Sequence, residues 1–453
     1  MWLDSASDDA RSRFSYLGKA DHTLAHRVGE STSTFVQRLR AELASYRLDA
    51  DGLAIAESCG GFGLGYAGYI GYGIGEETLR TDAQNVDGLR SRNAEQPDAV
   101  MHFLDRALVV DHNERTVRAL ALAPRVRGEG EEDAAHTWVQ EASALIETWT
   151  ASAPRAASVP TPATDAEIER TVRFRHSRER YLELIAECHR LIDAGESYEL
   201  CLTNEGHIRG EYDPWEVYRV LRELSRVPYG AFLRCGDFSV ASASPECFLS
   251  VTATGEVESR PIKGTRPRGS GETDAVLRTE LHDSEKDRAE NLMIVDLVRN
   301  DLSRVCDPGT VHVPSIFAVE SFPTVHQLIS TVRGTLSPGR TAVDALEVTF
   351  PGGSMTGAPK LRTVQLLNTM EAGERGVYSG AIGWVSLSGA LSLSIVIRTA
   401  VIDAHGVTFG VGGAITRLSD PDEEYSEIIT KARTVVTALT ASEGRPRRQT
   451  PRE

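Results

Sequence analysis

A chain of 453 residues with 41% hydrophobic composition can bury one very large core or two to three ordinary ones, so it reads as a globular protein. Its formal net charge of -16 excludes a general nucleic-acid or anionic-membrane surface, because such partners favour a basic footprint; any anionic ligand has to be held by a local exception. The six cysteines (Cys59, Cys188, Cys201, Cys235, Cys247, Cys306) show no CxxC pair or metal-like spacing, the N-terminus turns acidic too soon for a signal peptide, and no stretch is long and apolar enough to span a membrane, so free thiols and a cytoplasmic protein are expected.

In chain order, a helix is expected over residues 34–46, followed by the glycine run Gly60 to Gly71. Tyrosine and isoleucine alternate with glycine there and no phosphate-facing helix follows, so close strand packing is expected and a dinucleotide loop is not. Residues 81–97 read as a loop, 101–123 as a strand pair and 131–150 as an amphipathic helix. Residues 151–164 are almost wholly Ala, Ser, Pro and Thr, which cannot bury enough apolar surface to order themselves. That flexible linker separates an N-terminal supporting or effector region, 1–150, from a region carrying the chemistry, 165–440; a disordered tail is expected over 441–453.

Beyond the linker, a helix over 178–193 ends at Gly195, strand character resumes over 198–203, Asp213-Pro214 opens another helix, and 229–252 gives hairpin strands. Such irregular alternation fits a mixed layout with many antiparallel strands, not a doubly wound parallel sheet. After the turn at Thr254-Gly255, Arg260-Pro261-Ile262-Lys263-Gly264-Thr265-Arg266 reads as the return strand of a hairpin. Pro261 fixes its own φ, and Gly264 lets the chain turn or a ligand approach behind Lys263. Taken alone, Lys263 is a solvated strand-end lysine; the residues that follow suggest a use for it.

Residues 283–305 form one long helix capped by Ser284, with an apolar block at 292–298 and Glu290 at its edge, where a carboxylate needs a cation or a hydrogen-bond partner. Arg299-Asn300-Asp301 lock neighbouring elements. A second helix follows Ser419-Asp420-Pro421 and places Glu424, Glu427 and Lys431 on one face. Two readings stand: an exposed ion-pair face, or Glu290 and Glu427 sharing a Mg2+, which takes few carboxylates plus water and substrate oxygens. Residues 392–402 read as one strand with Arg398 among small neighbours, either a cavity-lining guanidinium that grips a carboxylate or an arginine paired on an exposed face. Tyr378 is assigned to the preceding strand, and the amides of Gly412, Gly413 and Ala414 are candidates for an anion-binding nest. Together these describe a dianion site in an acidic protein.

The motifs Ser244-Pro245-Glu246, Arg260 to Thr265, Asp287 to Asp301, Thr324-Val325-His326, Gly357 to Lys360, Ile397-Arg398-Thr399 and Gly412 to Ala414 occur in one order, and the chain thereby resembles the chorismate-utilising enzymes, strongly over 165–440 and more weakly through Leu3-Asp4-Ser5 and the glycine run. The resemblance implies an α+β fold, a large sandwich of two packed, mainly antiparallel sheets with helices outside. It implies Mg2+ held by Glu290 and Glu427 with Glu424 close by, a substrate clamp of Thr265, Tyr378, Arg398, Gly412, Gly413, Ala414 and Lys431, a ring neighbour in His326, and a general acid in Glu246. Lysine after Pro-Ile resembles the aminodeoxychorismate synthase component I branch, whereas anthranilate synthases usually have alanine there.

On that resemblance Lys263 attacks C2 of chorismate as the C4 hydroxyl leaves, and ammonia adds at C4 and expels the lysine, which splits one hard displacement into two. A lysine that attacks carbon must be neutral, so its pKa is expected to be lowered, with a protonated Glu246 beside it. No cysteine sits in a nucleophile-elbow setting, so ammonia is expected from a glutaminase partner. The alternatives are anthranilate synthase component I and a silent chorismate-binding subunit; the full set of acid, lysine, carboxylates and clamp speaks against the second.

Overall fold

Two antiparallel sheets face each other, and short corners carry the chain from one to the other. The computed structural model describes all residues except 8–11, 28, 82–95, 125–130, 151–159, 323–324 and 443–453. Among the described residues one sheet has 11 strands and the other 10. The first runs from the edge pair Gly357–Ala358 and Glu199–Arg209 through Gly406–Ile415, Thr399–Ile402, Phe238–Ser244 and Tyr229–Cys235 to Trp2–Asp4, Phe14–Leu17, Arg106–Asp111 and Thr116–Ala121. The second runs from Ile262–Pro267 through Val325–Thr335, Glu256–Ser259, Cys247–Val251, Leu391–Ile395, Ala381–Ser386 and Gly65–Ile70 to Ala99–Leu104 and His22–Ala25. This is the sandwich expected, with its helices outside.

Side chains from both sheets, among them Tyr69, Val109, Leu233, Val240, Ile382 and Trp384, meet in one apolar layer. The helices Arg178–Asp193, Pro214–Leu224 and Pro421–Ser442 cover the outer face of the first sheet, burying Tyr181, Leu221, Ile428 and Val435. Helices Thr32–Ala44, Glu285–Ser303 and Ala342–Thr349 cover the second through Phe35, Ile294 and Leu346. Such faces form because each helix repeats an apolar residue every three or four positions while its other face stays polar. All six cysteines are buried and unpaired. Among the described residues no helix is long and apolar enough to cross a membrane.

Residues 1–150 complete both sheets: Trp2–Asp4 pairs with Tyr229–Cys235, and Gly65–Ile70 with Ala381–Ser386. The boundary expected at 151–164, most of which lies outside the described residues, therefore divides neither sheet. The glycine run is a turn at Gly60-Gly61 and a strand over Gly65–Ile70, and the helix Tyr72–Thr81 follows it directly, which was not expected; a Cβ on Gly68 would lie 1.9 Å from the Val100 carbonyl oxygen, so only glycine admits that neighbour. The strand pair expected over 101–123 is three strands, because the chain changes sheets at Asp105, between Ala99–Leu104 and Arg106–Asp111. Helices Ala50–Ser58, Tyr72–Thr81, Asp165–Thr171 and Glu272–Asp283 are further additions, and most of the expected loop 81–97 and tail 441–453 lies outside the described residues.

Candidate active site

Two of the sheet-changing corners lie side by side. Phe238–Ser244 belongs to the first sheet and Cys247–Val251 to the second, so the corner between them is Pro245-Glu246. Leu391–Ile395 and Thr399–Ile402 are joined by the corner Val396-Ile397-Arg398, so the single strand expected over 392–402 is two strands in different sheets. Arg398 makes the turn with φ at 51°, an uncommon conformation for a side-chain-bearing residue. Backbone hydrogen bonds stitch the corners together: the Ala243 N–H donates to the Arg398 carbonyl (3.2 Å) and the Ile395 N–H to the Glu246 carbonyl (3.1 Å). The sheets thus set the Pro245-Glu246 corner beside the Val396-Ile397-Arg398 corner.

Lys263 is placed by a bulge. The expected return strand is broken at Arg260-Pro261; Glu256–Ser259 closes the hairpin, and Ile262–Pro267 pairs separately with Val325–Thr335. The register advances three residues from Ile262 to Thr265 against two from Ile329 to Gln327, and Gly264 takes φ of 81°. A bulge of this kind re-aims the side chain it carries. Lys263 turns inward, largely covered, and donates to the fully buried Glu199 Oε1 at 2.7 Å. Burial alone would lower the pKa of the amine, but the charges of Glu199 and Glu290 outweigh it and hold Lys263 above its ordinary value. The lowering expected from the sequence is reversed, because the sequence reading did not include the acidic partner Glu199. Glu246, as expected for an acid that keeps its proton, is pushed up by burial to about 7.

Glu290 lies on Glu285–Ser303, whose N-terminus Ser284 caps as expected. The helix is tied to the lysine strand by Asn291, which donates to the Pro261 carbonyl at 3.3 Å, and to Lys360 by Asp301 at 2.6 Å. Glu290 is buried, its Oε1 has no hydrogen-bond partner, and burial pushes its carboxyl up to about 7. On Pro421–Ser442, Glu424 is buried and accepts from Lys286 at 2.9 Å, while the half-exposed Glu427 accepts from Lys431 at 2.6 Å, which draws its carboxyl below the ordinary range. A Cβ on Gly413 would stand 2.9 Å from Glu424 Oε2. Among the described residues no group of three or more His, Cys, Asp or Glu is gathered at metal-binding spacing. The orphaned Glu290 oxygen and the two helix carboxylates nevertheless suit Mg2+, which uses one or two carboxylates and draws its other oxygens from water and substrate.

Burial depresses the Arg398 guanidinium below its ordinary value, and among the described residues no acceptor pairs with it. An arginine remains charged under such conditions, so its guanidinium is available to an anion. Tyr378 lies in the turn before Ala381–Ser386, not in a strand, and its ring covers Gly410, where a Cβ would be 2.0 Å away. The nest expected at Gly412 to Ala414 is a strand instead. Thr203 gives its N–H to Glu371 and Cys201 to Thr356, so their partners Gly412 and Ala414 turn their amides away from Glu199–Arg209, while Gly413 turns towards it. Lys431 donates to the Gly412 carbonyl at 2.6 Å. Thr265 is exposed.

His326 is held elsewhere. It is fully buried with its ring nitrogens engaged by Ser321 (2.7 Å) and Asp274 (2.9 Å), which Arg268 also grips. A cavity of about 1120 Å³ near Leu3, Tyr16 and Trp384 includes none of Lys263, Glu290 or Arg398; of its charged lining residues, Asp4, Arg13 and Glu258 are already paired with Arg222, Asp111 and Arg333. The residue that sequence reasoning missed is Glu199. Its signal was an acid opening the apolar run Leu200-Cys201-Leu202.

A family model described as chorismate binding enzyme matches residues 2–437. The chain belongs to the chorismate binding enzymes. It is 45% identical to aminodeoxychorismate synthase of Streptomyces pristinaespiralis, over 97% of this chain and 61% of the relative, and 33% identical to aminodeoxychorismate synthase component 1 of Escherichia coli K12, over 83% and 77%. The chain spans about three fifths of the length of its Streptomyces relatives. Anthranilate synthase component I from Streptococcus pneumoniae TIGR4 superposes with a TM-score of 0.77 at 26% identity, covering 94% of this chain and 93% of that one.

Proposed function

We propose that this chorismate binding enzyme aminates chorismate at C4, giving 4-amino-4-deoxychorismate, as an aminodeoxychorismate synthase. The observation that carries the reading is the Lys263 amine, buried against Glu199 within the electrostatic reach of Glu246 and Glu290. The names of the relatives over most of the chain support the same chemistry. Arg398, unpaired among the described residues, offers its guanidinium to a substrate carboxylate, with Lys431 and Tyr378 as companions. Glu290 and Glu427, with Glu424 beside them, would hold Mg2+, which supplies charge neutralisation for a second carboxylate. Lys263 bonds to C2 as the C4 hydroxyl departs with the proton of Glu246; ammonia then takes C4 and the lysine is released. His326, with its ring nitrogens already engaged, supports the strand that carries the lysine and takes no step.

A glutaminase partner would supply ammonia from glutamine, and the six unpaired thiols suit a reducing compartment such as the cytoplasm. The test is mass-resolved product analysis with chorismate, Mg2+ and an ammonium salt. 4-Amino-4-deoxychorismate without pyruvate is expected, and glutamine alone should give nothing from this chain. Anthranilate with pyruvate would establish the second reading, anthranilate synthase component I, which the superposition on the Streptococcus enzyme and 34% identity to the Mycobacterium bovis one favour.

A further inference from the structure

Glu199 holds the Lys263 amine in the reading above but takes no chemical step there, and its placement suggests one. Its side chain is fully buried at the start of Glu199–Arg209. Ser197 donates its hydroxyl to the Glu199 carbonyl at 2.8 Å, and Gly357 approaches so closely that a Cβ there would lie 1.9 Å from the same oxygen. Glu199 Oε1 accepts from Lys263, and among the described residues its Oε2 has no partner. Buried polar atoms are ordinarily satisfied, and the exceptions call for an explanation. Glu290, Glu246 and Glu427 also act on Lys263 through their charge, but among the described residues none of them shares a hydrogen bond with it. The amine therefore has one built contact for its proton.

We infer that Glu199 aims the Lys263 amine and accepts the proton that the amine sheds before it bonds to the substrate ring. The inference rests on the proposed lysine chemistry. The pair starts as ammonium and carboxylate, and one proton passes from Nζ to Oε1, leaving a neutral amine and a neutral acid. The nitrogen lone pair then forms the N–C2 bond, the ring double bonds shift, and the C4–O bond breaks, with the hydroxyl leaving as water on the proton of Glu246. The alkylated nitrogen now carries the positive charge, Glu246 the negative one, and Glu199 is neutral, so net charge is unchanged. When ammonia bonds to C4, the N–C2 pair returns to the lysine, the new ammonium group gives a proton to Glu246, and Glu199 hands its proton back to the amine. Glu199 thus holds one proton while the adduct exists, and the free Oε2 allows the carboxyl to be neutral without breaking another hydrogen bond.

The experiment mixes chorismate and Mg2+ with the protein in the absence of ammonia and follows the lysine adduct by intact-protein mass spectrometry. In Glu199→Gln, which keeps the shape and loses the proton acceptor, adduct formation should slow about 100-fold, the range found for a positioned acid or base, while KM for chorismate in the full reaction stays within about threefold. Glu199→Ala should be similarly slow and recover about tenfold on adding formate, which fits the vacated space and accepts a proton; a merely structural carboxylate would show no such recovery. Glu199→Asp, the variant to use if the others do not fold, should retain more than half of the loss-free rate constant's logarithmic range between Gln and wild type. An adduct rate within about threefold of wild type in Glu199→Gln, a rise in KM at constant kcat, or failure of formate to restore Glu199→Ala would each overturn the assignment. Lys263→Ala separates the two layers: if it keeps full 4-amination and wild type forms no adduct, the lysine chemistry itself has failed, whereas an inactive Lys263→Ala beside an unimpaired Glu199→Gln rejects Glu199 alone.

Discussion

The strand Glu199–Arg209 serves two buried ion pairs, and they are built differently. Near its middle, Arg375 and Glu371 form a closed pair: the guanidinium bonds both Glu371 oxygens (2.8 and 2.6 Å), donates to the carbonyls of Met355 (2.6 Å) and Cys201 (2.9 Å), and lies 4.3 Å from the Tyr72 ring centroid, while Glu371 also accepts the Thr203 N–H. At its start, Lys263 and Glu199 form an open pair, and among the described residues one Glu199 oxygen and Glu290 Oε1 have no hydrogen-bond partner. A fully satisfied pair locks strands together. An open one keeps charge in reserve for a ligand, and its unmet demand marks the site more clearly than cavity size does.

The sharpest way to break this comparison is at the lysine. Lys263→Ala should lower 4-amination on the order of 10³-fold or more, with the fold intact as judged by circular dichroism and melting. The closed pair should respond in the opposite sense. Glu371→Gln leaves Arg375 buried without its counter-charge and should cost about 3–5 kcal/mol of stability in denaturant titrations, the ordinary cost of breaking a buried pair from one side. Equal loss of stability in Lys263→Ala and Glu371→Gln would erase the distinction between the two pairs.

Next in size are the carboxylates. Glu290→Gln and Glu427→Gln should each reduce turnover about 100-fold at limiting Mg2+ and leave the fold unharmed, since each keeps its shape and loses the charge a hard cation requires. Near-normal turnover in either variant would remove that residue from the Mg2+ set. The open cluster should also show in the pH dependence of stability. The folded pKa of Glu246, about 7, lies above its ordinary 4.5, so the folded state binds the proton more tightly and the contribution is fully present below about pH 4.5 and lost as pH rises to about 7. Glu246→Gln cannot titrate. Its melting temperature relative to wild type should therefore rise steadily between pH 4.5 and 7, corresponding to about 2 kcal/mol; a difference constant in pH would mean that the carboxyl is not held up by burial.

Much of this was legible in the sequence for local reasons. Ser284 announces its helix because a hydroxyl three residues ahead of Asp287 caps a backbone N–H, whereas the break at Arg260-Pro261 reads in the sequence as part of one return strand despite its proline. The corner at Arg398 was not legible, since residues 392–402 carry no glycine or proline where the chain changes sheets. Glu199 was hidden because a lone acid beside apolar strand residues looks like an edge position until Lys263 arrives from 64 residues away. The partners of His326 were hidden for the converse reason: Asp274 and Ser321 come from Glu272–Asp283, a helix the sequence reading did not include, and from His312–Ser321, an element that pairs with its own strand.

The smallest expected effect probes how closely the strand Gly406–Ile415 is fitted to the acidic helix. Gly413 lies in ordinary extended backbone, so an alanine meets no conformational penalty there, but its Cβ would come within 2.9 Å of Glu424 Oε2 and 4.0 Å of Glu427 Oε1. The carboxylate must give way, because it is the far end of a side chain while both backbones are fixed by the sheet and by helix packing. Glu424 is tied to Lys286 at 2.9 Å, so its displacement reaches the neighbouring cation as well. Gly413→Ala should therefore change stability by about 1 kcal/mol or less, yet raise the Mg2+ concentration for half-maximal turnover about tenfold, as changes next to ligating groups commonly do. Saturating Mg2+ should restore most of the rate. An unchanged Mg2+ requirement would show that the Glu424 carboxylate has room to move without disturbing the metal, and would leave Glu290 and Glu427 as the pair that holds it.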